Sequence, residues 1–333
     1  MRLLFINSLK ADYVEDQLVA GLTQTLGKDN VCLFPVNKNY YYSRRPYPRN
    51  MGVCRSLSDF IRERLSIGRQ LRQFNFDAVV IGSIKRDTLL HLESIQAYLP
   101  KGIPVILVDG GDWPEIGGDA KRMQFEDLYT KLINPLNVQL VFKREYLQDK
   151  HYPPHVIPFT MAFTPARHFQ KQAERYDVTC WCVESHESRT RALAILEDRY
   201  DCRANGSVRG QTFRNYKRKG NRYLEELSAS RIACNFRGVG WDTLRYWEIP
   251  GVQSLMISAR PRIVIPDNFI HEQHVVYCND DLSDLTDKID YYLKHEDERH
   301  AIASAGHTYL MQHHTYLNRT KTFINALSEQ HII

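Results

Sequence analysis

IACNFRGVGWDTLRYWEIPGVQSLMISARPRIVIPDN (232–268) and YYLKHEDERHAIASAGHTYLMQHHTYLNRT (291–320) decide how this 333-residue chain folds. The apolar run RIACNF (231–236) reads as a buried strand that ends in a polar, glycine-containing loop. Residues 242–252 follow as a helix with Arg245 and Glu248 near its start, and SLMIS (254–258) is the next strand. HVVYC (274–278) reads as another strand. Helices over 282–293, 297–313 and 315–327 close the chain. Short, almost wholly apolar strands alternating with helices indicate a parallel sheet covered on both faces.

The same alternation runs through the first half. LLFIN (3–7), VCLFPV (31–36), DAVVIG (77–82), PVILVDG (104–110) and VQLVFK (138–143) read as strands. Helical patterns lie between them, over 12–26, 57–74, 88–99 and 125–132. The pattern pauses in the proline-dense stretch 151–177 and restarts at VTCWCV (178–183), with helices over 188–196 and 223–227. We therefore expect an α/β protein of two doubly wound, Rossmann-like domains facing a central cleft. The first covers 1–160, a linker 161–176, and the second 177–314. A last helix, 315–333, is expected to pack back on the first domain. In such sheets ligands sit beyond the carboxyl ends of the strands, so the loops there are the ones that carry chemistry.

Composition narrows the class. With 44 basic and 39 acidic residues the net charge is +5, which suits anionic substrates but falls short of a dedicated nucleic-acid binder. No apolar run reaches eighteen residues, and MRLLFINSLKADYVEDQL lacks the long apolar core of a signal peptide. Seven cysteines, an odd number scattered through apolar runs, argue for reduced thiols and a cytoplasmic location. Cys180 and Cys182 fall on one face of a strand, which is a core arrangement. There is no P-loop, no GxGxxG and no GxSxG, which weakens the kinase, dehydrogenase and hydrolase readings.

In RYWEIPG (245–251) a guanidinium at a helix start can grip a diphosphate, aided by the backbone amides there. Arg245 and Glu248 share a helix face, and the plain alternative is an ordinary ion pair three residues apart. Arg189, after SHES (185–188), is another phosphate-facing candidate, and Asn235 with Arg237 end a strand at the crevice. DGGDW (109–113) places Asp109 and Asp112 on either side of a Gly-Gly turn. Either can take a proton from a bound hydroxyl, Asp112 ahead because Trp113 beside it can stack on a ring. The alternative is a turn held by Asx hydrogen bonds. NKNYYYSRRPYPRN (37–50) offers an aromatic, basic lip, with Tyr41, Tyr42, Arg44 and Arg45 as candidate ligand contacts. KRKGNR (217–222) and Lys143–Arg144 are further basic clusters. No metal site is expected, and His313 and His314 read as packing residues.

The order ACNF (233–236), RYWE (245–248), YYLKHEDERHAIASAG (291–306) and HHTYLNR (313–319) resembles the CgeB-like group of GT-B glycosyltransferases, related to the group 1 family. VDGGD (108–112), VFKREY (141–146) and IPF (157–159) are similar to its first half. One departure stands out: Gly251 comes early, and Gln253 occupies the place of the usual glycine. The resemblance implies a metal-independent GT-B enzyme with no cofactor beyond its nucleotide-diphosphate sugar, a UDP-sugar first. Glu248 would bind the donor ribose and Arg245 the diphosphate or the helix start. The acceptor would be a glycan or surface polysaccharide intermediate, a protein, or a modified base in DNA. A non-catalytic nucleotide-sugar or polymer-binding protein and a nucleotide-sugar epimerase are the alternatives.

Overall fold

The computed structural model describes residues 1–41, 47–165, 169–203, 205–210 and 220–332. The chain divides into two compact units, Met1–Met161 with Tyr316–Ile333, and Ala162–Thr315.

The first unit holds β1 (Leu3–Ile6), β2 (Val31–Phe34), β3 (Ala78–Ile81), β4 (Val105–Asp109), β5 (Val138–Lys143) and β6 (Val156–Pro158). They form one parallel sheet in the order β2-β1-β3-β4-β5-β6. Every residue of β1, β3 and β4 is buried, as strands covered on both faces require. The direction of winding reverses between β1 and β3, so the ligand crevice of this unit lies beyond their carboxyl ends. The covering helices are α1 (Tyr13–Leu26), α2 (Leu57–Gln73), α3 (Arg86–Ile95), α4 (Gly118–Arg122) and α5 (Glu126–Ile133). Asp12 caps α1 by accepting from the Glu15 amide, and Ser56 with Asp59 forms a capping box on α2. β6 is a correction to the sequence reading, which saw only an irregular stretch from 151. It is an edge strand, where a proline costs little because one side of the ladder is unpaired.

The second unit holds β7 (Tyr176–Thr179), α6 (Glu187–Leu196), α7 (Asn221–Ser228), β8 (Ser230–Asn235), α8 (Leu244–Gly251), β9 (Leu255–Ala259), β10 (Val276–Cys278), α9 (Leu285–Lys294) and α10 (Glu296–His313). Its sheet is parallel in the order β10-β9-β8-β7. β7 ends before Cys180, so the strand expected over 178–183 is shorter than its pattern. Cys180 and Cys182 nevertheless enter the core with Cys202, Cys234 and Cys278, and all seven thiols are free. The last helix, α11 (Tyr316–Glu329), belongs to the first unit. There the Tyr316 hydroxyl donates to Gln24 on α1 at 2.6 Å, and the Phe323 ring lies 4.6 Å from that of Phe142.

Close packing fixes two glycines, and the first lies where this chain departs from the expected spacing. A Cβ on Gly251 would come within 2.3 Å of the Phe163 ring, so this glycine admits an aromatic side chain. Gln253 instead takes the left-handed backbone conformation (φ 61°) that glycine usually fills. Gly306, in the AIASAG run of α10, would place a Cβ 2.2 Å from the His274 carbonyl oxygen. Backbone cannot yield as a side-chain tip does. Gly306→Ala is therefore expected to cost about 2–3 kcal/mol, read as a lower urea midpoint; an unchanged midpoint would contradict this packing.

Candidate functional site

In the second unit, the carboxyl end of β8 is tied to the amino end of α8. The Thr243 hydroxyl donates to Asn235 Oδ1 at 2.7 Å, and Asn235 Nδ2 donates to Ser258 at 3.2 Å. Thr243 is the N-cap residue of α8, yet its hydroxyl is spent on Asn235 rather than on the helix amides. The first turn of α8 thus keeps its amide dipoles without a side-chain cap, in the geometry that attracts phosphate. Arg245 stands in that turn. Asn235, one of the expected donor contacts, acts in the structure as this latch.

Arg189 is buried, at 5% exposure. Its Nε donates to the Phe236 carbonyl at 3.1 Å, and its Nη1 to Val183 O and Ser185 Oγ at 3.2 and 3.0 Å. It joins the loops that follow β7 and β8. Arg237 Nη2 donates to the Val239 carbonyl, and the guanidinium lies 4.3 Å from the Trp241 ring centroid. Two neighbours register the combined positive field. Partial burial, then the charges of Arg237 and Arg189, hold the His186 imidazole below its usual range. A hydrogen bond with Cys180, then Arg245 and Arg189, pull the Cys182 thiol down against its burial. Arg189, Arg237 and Arg245 therefore concentrate positive potential at one end of the sheet.

Glu248, one turn after Arg245, is 3% exposed, and its Oε2 accepts from the Tyr223 hydroxyl at 2.8 Å. Tyr223 comes from α7. No local pattern pointed to it, because the two residues meet only through the fold.

In the first unit the DGGDW loop leaves β4. Asp109 is 1% exposed; its Oδ2 lies 3.0 Å from Lys143 Nζ, itself sealed from solvent. The same carboxylate accepts from the Gly111 and Gly117 amides at 3.2 and 3.0 Å. This corrects the expectation of Asp109 as a base: its oxygens are consumed in shaping the turn, the Asx alternative. Asp112 is half-exposed and ion-paired with Arg144. Asp119 lies beneath Gly111, and burial, then the charges of Asp112 and Asp109, raise its carboxyl above the usual range. Asp119 was missed, although DGGDWPEIGGD (109–119) carries the GGD signal twice. Trp113 is 38% exposed, with the Arg122 guanidinium 5.2 Å from its ring centroid.

A second acidic group stands at the start of α1. Asp12 pairs with Lys85 at 3.0 Å, and Lys85 also donates to the Ala11 carbonyl. Glu15, fully buried, accepts from the Ser8 amide at 3.0 Å and from the Tyr40 hydroxyl at 2.7 Å. Burial, then Asp12 and Asp16, push its carboxyl far up; burial, then Asp12, bring Asp16 to about 7.

Tyr41 is a further correction. It is 3% exposed, its hydroxyl donates to Glu63 at 2.5 Å, and Arg55 lies over its ring, so it holds the base of the loop and offers no face to a ligand. Tyr42, Arg44 and Arg45 lie outside the described residues, as do Lys217, Arg218 and Lys219. His314 packs on Trp247, with ring centroids 5.0 Å apart, and its Nε2 shares a hydrogen bond with the Asp267 carbonyl. Glu174, Glu296 and His300 bring ligand-type atoms within 4.8 Å of one another, and the buried Arg299 guanidinium contacts all three.

Residues 166–325 match the model of the glycosyl transferase-like family. No match is found among curated protein sequences. Among solved structures, the chain is similar to an alpha-glucosyltransferase in complex with UDP and a 13-mer DNA containing an HMU base. Identity is 10%, 98% of each chain is covered, and the TM-score is 0.63. It is also similar to HepE of Anabaena in complex with UDP and glucose, at 10% identity, covering 98% of this chain and 99% of that one, with a TM-score of 0.58. A third is sucrose-phosphate synthase from Thermosynechococcus elongatus, at 8% identity, 98% of each chain and 0.54. The two parallel-sheet domains are those of the GT-B fold. Residues 166–325 carry a glycosyl transferase-like domain, so the chain is a glycosyltransferase.

Proposed function

We propose that the donor is a UDP-sugar held by the second unit, and that the enzyme is a cytoplasmic, metal-independent member of the CgeB-like group. The observation that carries this reading is the position of Glu248. Its buried carboxylate sits one turn inside a helix whose first turn has no side-chain cap and bears Arg245. Glu248 accepts from the ribose hydroxyls, while Arg245, Arg237 and the α8 amides take the diphosphate. Arg189 and Asn235 hold the loops that position them. Two of the similar structures are complexes with UDP, which supports the choice of base.

The acceptor oxygen bonds to the anomeric carbon as the bond from that carbon to the diphosphate oxygen breaks. The arginines and helix dipole offset the charge that collects on the leaving diphosphate. Asp112 takes the proton from the acceptor hydroxyl, and Trp113 offers a face to a sugar ring, which favours a glycan or surface polysaccharide intermediate as acceptor. Asp112→Asn is expected to lower kcat on the order of 100-fold or more with donor Kd unchanged. Turnover near that of the parent would remove Asp112 as the base.

A thermal-shift panel of UDP-, GDP-, dTDP-, ADP- and CMP-sugars tests the donor. Binding to the native state raises Tm by mass action. A shift selective for the uridine compounds is expected; a shift selective for another nucleotide would overturn the choice of base.

A further inference from the structure

We propose that the outward face of α2 docks the enzyme on an anionic lipid surface. This inference stands independently of the donor reading.

The exposed residues of α2 are Leu57, Ser58, Ile61, Arg62, Arg64, Leu65, Gly68, Arg69, Arg72 and Gln73. Leu57, Ile61 and Leu65, four apart, form one stripe about 12 Å long, at 60, 55 and 83% exposure. Leu65 is the most exposed large apolar side chain among the described residues. The helix does not need this stripe for its core. Leu71 and Ile67 pack against the sheet on the opposite side, and the Phe60 ring meets Tyr41.

The charges are sorted in the same way. The two acids of α2 turn inward: Asp59 pairs with Lys28 at 2.6 Å, and Glu63 with Arg55 at 2.5 Å. All four arginines are outward, Arg62 shared among Asp29, Asp59 and Glu63, and α2 itself contributes no exposed carboxylate, which leaves Arg64, Arg69 and Arg72 as the cations that meet the surface. Apolar side chains at the centre with guanidiniums on both flanks match the boundary of a bilayer, where the apolar groups enter the acyl edge and the arginines meet lipid phosphates. A second copy of the chain fits less well, because pairing two such faces would oppose arginine to arginine. Duplex DNA would satisfy the arginines and leave three exposed aliphatic side chains in water.

Flotation of the full chain with vesicles tests this, using phosphatidylcholine alone and an equimolar mixture with phosphatidylglycerol. Selective binding to the anionic vesicles, weakened by salt, is expected. The triple variant Arg64→Gln, Arg69→Gln, Arg72→Gln is expected to lower partition on the order of 100-fold. Leu57→Gln, Ile61→Gln, Leu65→Gln together are expected to lower it by at least tenfold. Both variants are exposed-face changes, so the far-UV spectrum and Tm should match the parent. Equal binding to neutral vesicles, or none to either, would overturn the proposal. So would dimerisation that the apolar variant abolishes, or loss in the arginine variant alone, which is the pattern expected of nucleic acid.

Discussion

Glu248→Gln is expected to weaken UDP binding on the order of 30- to 100-fold while leaving the fold intact. Gln is isosteric and keeps an oxygen for the Tyr223 hydroxyl, which donates to Glu248 Oε2 at 2.8 Å. What it loses is charge. A hydrogen bond to an ionised group contributes about 1.5–3 kcal/mol against about 0.5–1.5 for a neutral pair. In the proposed site, two ribose hydroxyls held by the carboxylate would lose about 2–3 kcal/mol, which is the stated factor. Calorimetric titration with UDP and with 2′-deoxy-UDP checks the role. The parent should discriminate between them, and the variant should do so much less. Equal UDP affinity in parent and variant would take Glu248 out of the ribose site.

The second large effect is on stability. Asp16 is 4% exposed, and burial, then the charge of Asp12, carry its carboxyl from 3.8 to about 7. The native state thus retains a proton that the unfolded chain releases. Stability linked to this group is fully present below pH 3.8 and is lost as pH rises through 7. The whole interval corresponds to at most about 4 kcal/mol. Asp16→Asn removes the ionisation, so it should stabilise the enzyme more at pH 8 than at pH 5, by about 2–3 kcal/mol. Urea midpoints of parent and variant at both pH values measure this. A gain of equal size at the two would mean that Asp16 does not titrate in this way. Glu15, pushed in the same direction, is hydrogen-bonded to Ser8 and Tyr40 and stays in place in the variant.

The helix carrying Arg245 and Glu248 was legible because both residues lie within one turn, and local periodicity sets which side chains share a face. DGGDW was legible as a turn at the end of a strand for the same reason. Its two acids were not separable by pattern. Asp109 meets Lys143 across neighbouring strands and is sealed, whereas Asp112 stays half-exposed beside Arg144. Burial of a charge depends on a partner distant in sequence, and spacing does not carry that information. Tyr41 illustrates the reverse error. A tyrosine in a polar, proline-containing loop reads as exposed, yet Glu63 and Arg55 draw it inside.

By itself, then, the sequence determined the two parallel-sheet domains, since short apolar strands alternating with helices have few other ways to bury their faces. It also determined the helix that presents Arg245 and Glu248, and the acidic turn after β4. Only the tertiary structure decided which acid is closed by a lysine, and that Tyr223 holds Glu248. It alone gathered Arg189, Arg237 and Arg245 at one end of a sheet, and left Leu57, Ile61 and Leu65 facing outward. Each of these is a contact, or the lack of one, between residues that only chain folding brings together.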